Sequence, residues 1–279
     1  MTLVAMAAIV IGVAVVSVGL LWAHRHSPWN QRFAGEVGEH NKAFDFLGTA
    51  FAVLLAFVVL EAYESYNDAK SGAEAEAEAV LELSRSAEAF APQEHERLDG
   101  ALICYGRAVI HRGWPAMDEK EEGSPVVNDW GTHFREEALR VDIDSFLKRA
   151  VFRQLLTEQD QRIEGRRTRL AEAVRIVPLP LWLVLLLGAA LTIGWVVLSA
   201  SRRGSFVVQA AVVASVATMV TSALLLVWFL DHPFAAESGS ITPIEMEHTL
   251  ETIAEEEEDQ ALEVIPPCTP EGDPEPVEA

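Results

Sequence analysis

Three things are scarce in this chain, and each scarcity removes a class of function. Basic residues are few: 21 Lys and Arg stand against 42 Asp and Glu, for a net charge of −21. No basic face for nucleic acid is present, so nucleic-acid partners are excluded from the reading. Cysteine occurs only twice, at Cys104 and Cys268. That excludes a disulfide framework and any zinc site built mainly on thiolates. A single pair says little about redox compartment, and both residues read as structural or incidental. Signature motifs are missing too. The chain has no Gly-rich phosphate loop, no G-x-S-x-G and no H-E-x-x-H, so it offers no cofactor site and no catalytic constellation. An enzyme is not expected.

The acidity is unevenly spread. From Asp231 to the end there are 15 acidic residues and no Lys or Arg, so this segment sets the pI and the body is only mildly acidic. Charge is also absent from four long stretches, and these decide the fold class. Residues 3–22 are 20 uncharged positions, enough at ~1.5 Å rise per residue for a ~30 Å hydrocarbon core. No Lys or Arg precedes the run and no small-x-small site closes it, so it reads as an uncleaved span. Residues 46–60 are short by themselves, but Phe44 and Tyr63 extend the apolar character to a span of about 44–63. Residues 176–201 and 204–230 are long enough to cross with tilt. Pro178 and Pro180 fall near the start of the first, where a missing N–H costs least. Arg202-Arg203-Gly204 between them predicts a tight turn and an antiparallel hairpin.

The expected architecture is therefore all-α: a polytopic membrane protein with four transmembrane helices in two pairs and a helical polar domain between spans 2 and 3. Residues 1–63 form the first pair, 64–175 the polar domain, and 176–230 the hairpin, with spans at about 178–200 and 206–230. A membrane-proximal segment follows at 231–254, with a short helix over 243–254. Within the polar domain, Ala69, Ala73 and Ala77 form a small-residue packing face, while Glu74, Glu78 and Glu82 line a solvated one. A second helix is expected over 94–112, with loops at Gly113-Trp114-Pro115 and Gly123-Ser124-Pro125. Shorter helices follow over 130–139 and 144–175. The acidic run 255–259 and the Pro/Glu-rich residues beyond it predict a disordered tail over 255–279.

Charge near the membrane leaves orientation open. The short connections carry Arg25, Arg32, Lys42, Arg202 and Arg203, which would face the cytoplasm. Lys70 and the arginines at 162, 166, 167, 169 and 175 compete for the same side.

Candidate binding residues are sparse. His95, His111 and His133 lie on different predicted elements and read as surface or satisfied polar groups, not metal ligands. The acidic stripe and the 255–259 run lack a calcium-loop pattern, so no metal site is expected. Ala210, Ala214, Thr218 and Ser222 in the fourth span, and Ala190 with Gly194 in the third, let helices approach closely, within or between subunits. In the second span, Phe44, Phe51, Leu55 and Val58 share a face that would form a hydrophobic neck in a ring of subunits.

Several pieces together resemble a known family. They are residues 57–85, FVVLEAYESYNDAKSGAEAEAEAVLELSR, and Trp114-Pro115 after a helix carrying Tyr105. Arg166-Arg167 through Leu170, leading into Pro180-Leu181-Trp182, is the third, and Leu230-Asp231-His232-Pro233-Phe234 is the fourth. In this combination the chain resembles a bacterial family of bestrophin-like membrane proteins. It departs at Tyr63, where the family usually has Trp, and at Gly113, where an acidic residue is usual. The resemblance implies four spans with a helical domain between the second and third. Through bestrophins it further implies a homopentamer in the cell (inner) membrane, with the helical domain in the cytosol and the second span lining a pathway for monovalent ions, anions in particular. The alternative is a non-conducting scaffold or sensor that recruits partners through its helical domain and acidic tail.

Overall fold

In a computed structural model most of the described residues are helical, and the structure describes residues 2–27, 30–120, 122–200, 204–235 and 239–275, with the side chains of 30–45 outside that description. Two compact units emerge. One comprises Met1–Ser65 and Ile176–Asp231, and the other Tyr66–Arg175 and His232–Ala279. They are called the membrane unit and the polar unit below.

The membrane unit contains α1 (Leu3–His26), the first part of α2 (Asn30–Ala87), α7 (Leu179–Leu198) and α8 (Phe206–Leu230). All four supply apolar lengths sufficient to cross a bilayer. Their side chains are distributed inside out relative to a water-soluble bundle: Val4, Val15, Leu183, Leu187, Val207 and Met219 are exposed. Such a surface is stable only against hydrocarbon, and helices suit it because each satisfies its own backbone polar groups. The protein is thus a membrane protein.

Inside the unit, α1 packs on α8 and α7, and α7 packs on α8. Leu21, Val197, Ala200 and Val213 form one apolar cluster, and Val58, Val177, Leu185 and Val227 another. Polar groups fix the helix ends. Thr2 caps α1 by accepting from the Ala5 N–H. Arg25 donates to Gly204 O and, at 2.6 Å, to Gln209 Oε1. Asp231 closes α8 and accepts from the Ile176 and Val177 N–H groups at 2.9 and 3.0 Å. Those N–H groups precede α7, so one carboxylate ties the entry of the third span to the exit of the fourth. The expected turn at Arg202 and Arg203 lies outside the described residues. Of the small-residue stripe on α8, Ala210 and Ala214 are half-buried while Thr218 and Ser222 are exposed. The buried stripe is instead Val213, Ala217 and Thr221. On α7, Ala190 is exposed and no atom lies within 4 Å of where a Cβ on Gly194 would stand.

The polar unit takes the remainder of α2, then α3 (Pro92–Ala108), α4 (Trp114–Lys120), α5 (Pro125–Ala138), α6 (Phe146–Ala171) and α9 (Ile244–Asp259). Its core is built from Leu83, Leu98, Leu102, Phe134, Leu155 and Ile253, all essentially without exposure. Pro92 opens α3 in the first turn, where its missing N–H costs nothing. Glu94 reaches back to the Ala91 N–H at 3.1 Å to cap it. The Ala face of α2 is buried at Ala69, Ala73 and Ala77, while Glu74 and Glu78 are exposed and Glu82 is half-buried. Gly72 does not break α2. It sits where α6 crosses: a Cβ there would stand 2.6 Å from Arg169 N, and one on Gly165 2.6 Å from Glu76 N.

Two expectations need correcting. Gly113-Trp114-Pro115 is not a loop, because a π-helical turn, Val109–Gly113, joins α3 to α4 without interruption. Pro115 follows that turn directly, and the wider hydrogen-bond spacing of the π-helical turn lets the helix pass through a residue without an N–H. The tail is not disordered over 255–275. Helix α9 extends through the acidic run to Asp259, and the chain then returns to the core. Cys268 forms a disulfide with Cys104 of α3. The indole N–H of Trp130 donates to Gly272 O at 2.7 Å, and Arg112 pairs with Asp273. Gly272 has φ +80° with the Ala108 backbone against it, a position only glycine fits. A covalent bond and directed hydrogen bonds hold this segment where its composition supplies little apolar burial. Residues 276–279 lie outside the described residues.

Candidate functional site

Two places in the molecule hold side chains arranged beyond the needs of simple packing. The first is the membrane part of α2. Of the residues expected to line a neck, Phe44 lies outside the described side chains. Phe51 meets α7 at Gly188, where even an added Cβ would stand 2.3 Å from the Phe51 ring. Leu55 and Val58 pack with Val177, Leu185 and Val227, and Val58 is only 7 % exposed. Val58 is thus buried within the chain, while Phe51 and Leu55 are half-buried.

The opposite side of the same helix is open. Phe46, Val53, Phe57 and Leu60 are 72, 51, 66 and 52 % exposed. Their spacing of seven, four and three residues holds them within one stripe of an α-helix at ~100° per residue. The stripe carries no charge and two aromatic rings. Beside it, α2 and α7 enclose an open groove of about 740 Å³ whose walls include Leu47, Thr49, Phe51, Leu54, Leu191 and Trp195. The residues singled out from the sequence, 44, 51, 55 and 58, repeat the same spacing two residues earlier. Two residues turn a helix by about 200°, so the two stripes lie back to back with equal apolarity. Gly188 opposite Phe51 is what distinguishes them, and that pairing crosses 137 residues of sequence.

The second place is the interior of the polar unit. Glu76 and Arg169, each 1 % exposed, form an ion pair at 2.6 Å. Tyr105 donates its hydroxyl to the other Glu76 oxygen. The Arg169 guanidinium lies 4.7 Å from the Trp114 ring centre, and that of Arg162 lies 4.2 Å from the Tyr105 ring. Trp114 in turn donates to Ile241 O at 3.0 Å and meets Phe234 edge to face. The scattered pieces that carry the family resemblance thus converge: Glu76 from 57–85, Tyr105, Trp114, Arg169 and Phe234 form one buried network. Charges so deeply placed persist only when paired and hydrogen-bonded.

Nearby in the same unit, His95 Nε2 stands 2.7 Å from Asp99 Oδ2, with both side chains buried. Burial works against the imidazolium, but the hydrogen bond and charge of Asp99, with Glu88 and Glu257 beyond, hold His95 above its usual pKa. Burial raises Asp99. Burial, with the Asp99 charge, pushes Glu257 up to about 7. The i, i+4 spacing of His95 and Asp99 was visible in the sequence, but Glu257 arrives from α9, which no local pattern links to α3. His111 is exposed, and His133 stands against Trp130 at 5.4 Å between ring centres. Among the described residues no three His, Cys, Asp or Glu side chains converge in a geometry that holds a metal.

Comparison with known proteins supports this architecture. No match was found among curated proteins. Among solved structures, two variants of a bacterial bestrophin homologue from Klebsiella pneumoniae share the fold. One has a TM-score of 0.71 at 16 % identity over 89 % of this chain and 96 % of its own. The other has a TM-score of 0.69 at 15 % identity over 91 % and 99 %. A crystal structure described as a membrane protein matches with a TM-score of 0.68 at 16 % identity, over 88 % and 96 %. At such identities the likeness speaks for the fold alone. A model of the bestrophin-like domain matches residues 9–239, most of the chain. The protein belongs to the bestrophin-like domain family.

Proposed function

We propose that the protein is an oligomeric ion channel of the cell (inner) membrane, built as a ring of identical copies with α2 lining the pathway. Membership of the bestrophin-like family is the observation that carries this reading, and through the resemblance to bestrophins it brings five copies and monovalent anions. The open stripe of Phe46, Val53, Phe57 and Leu60 supports the placement of the pathway. Turned toward a common axis, rings of these residues make a narrow apolar neck that stops ions by expelling water and passes them when it widens. Phe51, Leu55 and Val58 then act behind the neck, seating α2 on α7 and α8. No Asp, Glu, Lys or Arg lies between Phe46 and Leu60, so the sign of the ion is set elsewhere.

The non-conducting scaffold loses its main support, since the acidic tail over 255–275 is folded onto its own polar unit. The test is flux through liposomes holding the purified protein, across a matrix of pH and calcium. Conduction of a monovalent ion is expected, with chloride over sodium. Failure to conduct under every condition refutes the channel. Cross-linking of Val53→Cys is expected to trap closed rings, and a monomer or simple dimer would return the scaffold reading.

A further inference from the structure

The two cysteines of the chain are joined, and none is free. Both are buried, Cys104 toward the end of α3 and Cys268 in the returning tail. Such bonds persist in oxidising compartments and are kept open in a cytosol held reduced by small thiols and dithiol proteins. We infer that the polar unit and the tail lie on the extracytoplasmic side of the membrane. There the pair is closed by exchange with the disulfide of a dithiol oxidase. The two thiols give up two protons and two electrons, a sulfur–sulfur bond forms between Cys104 and Cys268, and the oxidase disulfide is reduced to two thiols.

Topology agrees with this placement. Four spans leave 66–175 and the segment after Asp231 on one side of the membrane, so Cys104 and Cys268 share a compartment although two spans separate them in sequence. The opposite side receives only the two short connections, which carry Arg25, Arg32, Lys42, Arg202 and Arg203. Positive charge in short connections is the signal that retains a segment in the cytoplasm, and long domains translocate largely regardless of theirs. Of the competing basic residues, two serve the core of the long domain, while Lys70, Arg166, Arg167 and Arg175 stay exposed or half-buried. Arg169 is buried against Glu76, and Arg162 is buried over Tyr105 and bonded to Gln159 at 3.0 Å. The covalent bond therefore carries the assignment, and the positive charge of the short connections is compatible with it. The assigned side is opposite to the one the likeness to bestrophins implies, and it does not depend on whether the protein conducts ions.

The experiment uses the full chain in spheroplasts with the native pair intact. Exposed Glu164 of α6 and exposed Ser205 before α8 are each replaced, as Glu164→Cys and Ser205→Cys, and probed with a membrane-impermeant maleimide. Glu164→Cys is expected to label on whole spheroplasts and Ser205→Cys only after lysis; the reverse pattern, or any other, overturns the assignment. Acid trapping of the wild-type chain followed by alkylation provides a second readout. Cys104 and Cys268 are expected to resist alkylation until a reductant is added, and two thiols free at the moment of trapping overturn the inference as well.

Discussion

The crossing of α2 and α6 in the polar unit offers the sharpest test of the fold. A Cβ on Gly165 would stand 2.6 Å from Glu76 N, 3.0 Å from Gly72 O and 3.1 Å from Ala75 C, and all three are backbone atoms. No side-chain rotation relieves such contacts. Restoring ordinary carbon contacts of about 3.5 Å requires the helices to part by roughly 1 Å. Overpacking of this kind costs about 1–3 kcal/mol, against which the better helix propensity of alanine returns about 1 kcal/mol. The separation also stretches the 2.6 Å pair of Glu76 and Arg169, and opening a buried pair costs about 3–5 kcal/mol. Gly165→Ala is therefore expected to lose up to ~2 kcal/mol from overpacking alone and, with the pair opened, ~3 kcal/mol or more. At roughly 2–4 °C per kcal/mol for a chain of this size, thermal melting in detergent should shift down by several degrees. Gly194→Ala, with no atom within 4 Å of the new Cβ, serves as the control and should melt near wild type. A Gly165→Ala protein as stable as wild type would refute the close crossing and the network built on it.

Four further outcomes follow from the same geometry. Glu257, at about 7 instead of 4.5, favours the folded state when protonated, so its contribution is full below about pH 4.5 and lost as pH rises through about 7. The ceiling near 3 kcal/mol, at ~1.4 kcal/mol per pH unit, is cut to about 1 kcal/mol by the partial exposure of the side chain; Glu257→Gln should flatten the fall in melting temperature across that window. Reducing Cys104–Cys268, or Cys268→Ser, frees a tail otherwise tied across 164 residues; a loss of about 2–4 kcal/mol and early protease cleavage after Asp259 are expected. Asp231→Ala strands two N–H groups before α7, at about 1–3 kcal/mol in melting experiments. Phe57→Ala widens the proposed neck and should raise conductance in bilayers, whereas Val58→Ala, cut inside the subunit, should lower stability by ~1 kcal/mol or more and leave conductance near wild type.

Much of the fold was legible because the bilayer writes its demands locally. An uncharged run of sufficient length specifies a membrane helix without reference to any partner, and three of the four were readable on that basis, the second only once Phe44 and Tyr63 extended it. The Ala69, Ala73 and Ala77 face was legible for a similar reason, since small residues at helical spacing already describe a close approach. Breaks were less legible. Gly113 looked like an interruption, yet it ends a π-helical turn, and Gly72 within α2 admits α6. A glycine reports that something comes near, and only the partner's position says whether it is a turn or a neighbouring helix.

The candidate site and the tail depended on pairings over long sequence distances, which no local pattern carries. On α2, two apolar stripes of identical spacing stood back to back, and the choice between them rests on Gly188 receiving Phe51. The tail failed for a complementary reason. Composition measures the apolar area a segment can bury, and by that measure 255–275 has too little to fold by itself. A crosslink removes freedom from the unfolded chain without requiring burial at every position. Once Cys268 is bonded to Cys104, the entropy of ordering its neighbours is largely spent, and a few directed contacts such as Trp130 to Gly272 and Arg112 to Asp273 suffice. Two cysteines far apart therefore carried more structural information than the entire acidic composition around them.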